Sequence, residues 1–162
     1  MKNLLRILVL VFLLGATSAL AGAEQSWPLM GSWAVDVSRL PMPPEARPKS
    51  VTLTFSRSGD GRYHTLVRIL AGDGSERTMT GSYTADGTPY KIEGDTLEAD
   101  TAAVTLPTPD VMVLALAKNG TPASTRVYAL QPGGEELVET AAYVGDDGKP
   151  LIRTNVFRRV RR

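Results

Sequence analysis

From Ser50 to the C-terminus the chain is a series of short apolar–polar alternations cut by glycine-containing turns. That pattern leaves room for little except antiparallel β-structure. Val51, Leu53 and Phe55 point one way while Thr52, Thr54 and Ser56 point the other, the period-two signature of a half-buried strand. Gly59-Asp60-Gly61, Gly72-Asp73-Gly74, Asp86-Gly87, Asn119-Gly120, Gly133-Gly134 and Asp147-Gly148 supply the turns, because tight hairpins need the positive φ that glycine adopts freely. Strands are expected over residues 32–37, 51–56, 62–70, 78–84, 89–93, 96–106, 111–117, 125–131, 136–144 and 151–160. Residues 111–117 are continuously apolar, as expected of a strand covered on both faces. Between the first two strands, Pro41, Pro43, Pro44 and Pro48 predict an extended connector without helix. About eight to ten strands, roughly one every 8–14 residues and joined by hairpins, predict an all-β up-and-down barrel or a sandwich.

The N-terminus reads as a processing signal. Lys2 and Arg6 precede an unbroken apolar run over 7–14, and Ala19-Leu20-Ala21 and Ala21-Gly22-Ala23 place small residues where a signal peptidase cuts. A cleaved signal peptide over 1–23 is expected, followed by a single domain over 24–162 that is periplasmic or secreted. No basic cluster follows the apolar run, so the mature chain is expected to carry no transmembrane segment.

Composition narrows the chemistry. The chain has no cysteine, which excludes disulfides, thiol catalysis and thiolate-bound metal. Eighteen Lys and Arg face seventeen Asp and Glu, too even a balance for a nucleic-acid footprint. His64 is the sole histidine and lies inside a predicted strand, so no histidine-rich metal site is available. The Asp-Gly pairs read as turns rather than calcium loops, since none fits the twelve-residue acidic pattern. Glu98 and Asp100 share a face of the predicted strand 96–106 and are assigned to its solvent side. Neither a nucleophile elbow nor a phosphate-cradling loop is present. The expectation is a protein without catalysis, cofactor or metal.

Gly31-Ser32-Trp33-Ala34-Val35-Asp36, the proline-rich stretch, Pro48 to Thr52 and the closing Val156-Phe157-Arg158-Arg159 resemble small exported bacterial lipocalin-like (calycin-type) β-barrel proteins. The resemblance implies an up-and-down barrel with a lumen open at one end. It also implies that Gly31 and Trp33 close the other end beneath an arginine of the last strand, Arg158 or Arg159. A guanidinium over an indole contributes about 0.5–2 kcal/mol. Trp27 is a second candidate for that indole. Inward-facing candidates for the lumen are Val51, Leu53, Phe55, Val67, Ile69, Met79, Tyr83, Leu114, Leu116, Tyr128 and Tyr143. The function implied is binding of a small hydrophobic ligand. The alternative is an envelope interaction or protease-inhibitor-type module with a filled barrel, its protein partner unidentified. A hydrolase or isomerase would require His64 and a carboxylate to converge in a pocket.

Overall fold

A computed structural model describes residues 27–161; the expected signal peptide lies outside the described residues. Nine strands carry the architecture: β1 (Gly31–Val35), β2 (Ser50–Arg57), β3 (Tyr63–Leu70), β4 (Glu76–Tyr83), β7 (Thr101–Thr108), β8 (Val111–Lys118), β9 (Thr121–Leu130), β10 (Glu136–Val144) and β11 (Pro150–Val160). Two dipeptide strands, β5 (Tyr90–Lys91) and β6 (Glu93–Gly94), complete the set. All pair antiparallel in one sheet, ordered β5-β7-β8-β9-β10-β11-β1-β2-β3-β4-β6. The protein is an up-and-down barrel in which the last strand returns to the first, with Trp33 opposite Arg159 and Val35 opposite Phe157.

The barrel's one seam lies between β4 and β7, and residues 90–94 stitch it. β6 pairs with β4 through Met79 and Gly94, and β5 pairs with β7 through Tyr90 and Ala102. Gly81 makes this possible, because a Cβ there would run into the Tyr90 ring. The Tyr90 ring stacks on Tyr83 at 4.9 Å between centroids, and Tyr83 on Tyr63 at 6.1 Å. An aromatic ladder thus fills the side of the barrel where strand pairing is thinnest.

The glycine turns fall where the alternation places them. Asp73 accepts from the Ser75 backbone N–H at 2.9 Å while Gly74 holds φ at 91°, and Asn119 and Gly120 both adopt positive φ. Three expectations need correction. The stretch 96–106 is not one strand: residues 95–100 form a loop, and β7 begins only at Thr101. Asp95 explains the break, since its carboxylate accepts from the Leu97 N–H at 2.7 Å and turns the chain. The apolar run 111–117 is covered on one face only, with Met112 buried inward and Ala115 exposed on the outer wall. The proline connector contains two single 3₁₀ turns, Val37–Arg39 and Pro44–Ala46, with Pro44 in the first position, where its missing N–H costs nothing.

Candidate functional site

One end of the barrel is sealed. Residues 27–30 turn across it, and the Trp33 indole N–H donates to the Leu29 carbonyl at 2.9 Å, with both residues fully buried. The Arg159 guanidinium lies 4.0 Å from the Trp33 ring centroid and donates to three carbonyls: Gly134 at 2.7 Å, Met30 at 3.0 Å and Pro28 at 2.6 Å. Gly31 sits at φ 125°, and a Cβ there would lie 2.9 Å from the Arg159 Nη1. Of the two arginines in view, Arg159 therefore covers the indole. Arg158 points outward to Glu136 at 3.0 Å. Alternation allows only one of two neighbouring residues to face inward. Trp27 meets Tyr63 edge-on instead.

Above this floor the barrel is hollow. A cavity of about 660 Å³ runs from the Phe55, Tyr128 and Phe157 rings to the far end. Phe55 on β2 and Tyr128 on β9 meet across the barrel at 5.8 Å between centroids. Of the expected lumen residues, Val51, Leu53, Phe55, Val67, Ile69, Met79, Leu114, Leu116, Tyr128 and Tyr143 line the cavity. Tyr83 does not. It is buried in the aromatic ladder, where its hydroxyl hydrogen-bonds with Thr65 Oγ1 at 2.8 Å and burial raises its pKa to about 12. Leu40, Met42, Ala46 and Pro48 of the connector reach over the open end and line it as well.

The lumen also carries a polar wall. Tyr128, Glu139 and Asn155 stand side by side on β9, β10 and β11, and one step toward the mouth Arg126, Ala141 and Arg153 form the next row. Glu139 is almost wholly buried. Its Oε1 accepts from the Tyr128 hydroxyl at 2.8 Å and from Arg126 Nη1 at 3.5 Å, and its Oε2 accepts from Asn155 Nδ2 at 2.6 Å. Burial and the adjacent carboxylate hold the Tyr128 pKa well above the usual phenol range. Burial alone would lower the Arg126 pKa, but Tyr128, Glu139 and Glu98 outweigh it and raise the value. Arg153 stacks over Tyr143 at 5.5 Å and has no ion-pair partner among the described residues.

Glu98 is the larger surprise. It is exposed as expected, but in the loop 95–100 at the cavity mouth rather than on a strand, and it also lines the lumen. Its Oε2 lies 2.7 Å from Arg126 Nη2 and its Oε1 4.0 Å from Arg77 Nη2. His64 faces the outer wall, with Nε2 3.2 Å from Ser58 Oγ, and it does not line this cavity. No lumen carboxylate therefore converges on it. Arg126, Glu139 and Asn155 were detectable in principle: each falls on the inward parity of its strand, where a charged or amide side chain breaks an apolar pattern.

No protein-family model and no curated protein matches the sequence. Among solved structures, the chain is similar to two single-residue asparagine variants of the fluorescent protein UnaG. The asparagine-to-alanine variant has a TM-score of 0.52 and 18% identity, over 83% of this chain and 98% of that one. The asparagine-to-glutamine variant has a TM-score of 0.51 and 16% identity, over 82% and 96%. What they share with this chain is its fold, an antiparallel up-and-down β-barrel.

Proposed function

We propose that the protein is an exported carrier that holds one small, largely apolar molecule in the barrel lumen and performs no chemistry on it. The observation that carries this reading is the cavity of about 660 Å³, large enough for a ligand and walled mainly by aliphatic and aromatic side chains. Such a cavity left empty forfeits dispersion contacts that a ligand restores. Small residues on the lumen wall, such as Ala99, Ala102, Ala123 and Ala141, favour this reading over a filled barrel. Export rests on the basic, apolar and small-residue order of residues 1–23. No helix of the described residues is long and apolar enough to cross a membrane.

Incubating the purified mature protein with a total lipid extract and recording native mass spectra tests the proposal. One bound molecule per chain, displaced by a competing apolar compound, is expected. A protein that stays empty against lipid extracts and small aromatic probes alike contradicts it.

A further inference from the structure

We infer that Glu98 is a built-in occupant of an anion subsite at the lumen mouth, and that an apolar ligand bearing one organic anion displaces it and frees the loop 95–100. This rests on the lumen being a ligand site and specifies the chemistry that the mouth selects. Arg77 comes from β4 and Arg126 from β9, on opposite sides of the seam. Both line the cavity, and the Glu98 carboxylate lies between their guanidinium groups. Each arginine has a second, fixed partner: Asp95 for Arg77 at 2.5 Å and buried Glu139 for Arg126 at 3.5 Å. Glu98 is the most accessible member of the set, with its side chain 52% exposed against 4% for Glu139.

The loop is attached in a way that permits exchange. Its ends are held by main-chain bonds, Asp95 N–H to Thr78 O at 2.8 Å and Asp100 N–H to Ala117 O at 3.0 Å. Between them, residues 96–99 make no backbone–backbone hydrogen bond among the described residues. Lys118 Nζ donates to the Thr96 carbonyl, and Glu98 reaches the two arginines. An incoming carboxylate or sulfonate replaces one anion by another, so no net charge is buried and Arg126 keeps two anionic partners. A neutral ligand supplies no such replacement and leaves Glu98 in place. Buried Ala99 and exposed Leu97 flank the carboxylate, so releasing Glu98 lets an apolar tip move with the loop.

The test uses a matched pair of fluorescent probes, anilinonaphthalene sulfonate and its uncharged analogue N-phenylnaphthylamine, titrated into the wild-type protein and Glu98→Gln. The variant keeps the side-chain shape and removes the competing charge. It is expected to bind the sulfonate about three- to tenfold more tightly and the neutral probe unchanged. In the wild type, the sulfonate is expected to speed exchange of the Leu97 amide, which donates to Asp95 Oδ1, and the neutral probe to leave it unaltered. If the neutral probe binds and Glu98→Gln leaves sulfonate affinity unmoved, or the sulfonate leaves exchange unmoved, this inference is wrong while the lumen reading stands. If neither probe binds the wild type or the variant, the lumen reading itself has failed.

Discussion

Arg159 and Trp33 face each other across the β1–β11 pair, and the guanidinium lies 4.0 Å from the indole centroid. The same guanidinium donates to three carbonyls that no strand satisfies, from Pro28, Met30 and Gly134. One side chain therefore covers the floor, ties the lead-in to the barrel and joins the first and last strands. Arg159→Ala is expected to lower stability in urea melts by about 2–4 kcal/mol, because it strands these carbonyls and uncovers the indole. Arg159→Lys keeps the charge but not the planar fork and should lose about half as much. A lysine variant as stable as wild type would show that charge alone suffices.

Glu139 is held by Tyr128, Asn155 and Arg126, so its removal leaves several buried partners unpaired. Glu139→Ala is expected to cost about 3–5 kcal/mol. Tyr128→Phe, which deletes one donor and keeps the ring against Phe55 and Phe157, should cost about 1–3 kcal/mol. Chemical denaturation of both variants checks the order; a Tyr128→Phe loss equal to that of Glu139→Ala would contradict it.

Alkaline stability follows from the buried tyrosines. Burial raises Tyr83 from the ordinary value of 10.0 to about 12, and Tyr90 and Tyr128 are also raised. Above pH 10.0 the unfolded chain releases phenolic protons that the folded chain retains, so the unfolded state binds fewer protons and stability falls as pH rises. The contribution is complete below pH 10.0 and is lost through about pH 12 for Tyr83. Absorbance titration of the phenolates against unfolding by circular dichroism should show three tyrosines ionising with the unfolding transition. Smooth ionisation of all five in the folded protein would contradict this.

The seam offers a packing test. Gly81→Ala places a Cβ inside the volume of the Tyr90 ring and should destabilise the protein by about 1–3 kcal/mol. Tyr90→Leu shortens that ring, so the double variant should recover part of the Gly81→Ala loss, a coupling of about 1 kcal/mol or more in a double-mutant cycle. Strict additivity would place the Gly81 requirement elsewhere.

The barrel was legible because period-two alternation and Asp-Gly turns act locally: Val51, Leu53 and Phe55 declare one face without reference to any other strand. The floor was half legible. Gly31 and Trp33 stand out, but choosing Arg159 over Arg158 required the β1–β11 register, which is a long-range fact. Tyr83 fits the same alternation as Met79, yet its height along the barrel places it in the ladder rather than the lumen. The Glu98 contacts are illegible in the sequence for a related reason. Its loop is fixed by Arg77 and Arg126 from distant strands, and nothing within residues 96–106 records those partners.

If the hollow barrel takes an apolar ligand, the methionine methyl groups report on it directly. Met42, Met79 and Met112 line the cavity, whereas Met30 lies beneath the floor with Arg159 at its carbonyl. Carbon-13 methyl spectra recorded through a titration with N-phenylnaphthylamine should show saturable ring-current shifts at Met42, Met79 and Met112, with Met30 unmoved. Shifts confined to surface groups such as Leu97, Val144 and Ile152, with all three lumen methionines silent, would contradict the account.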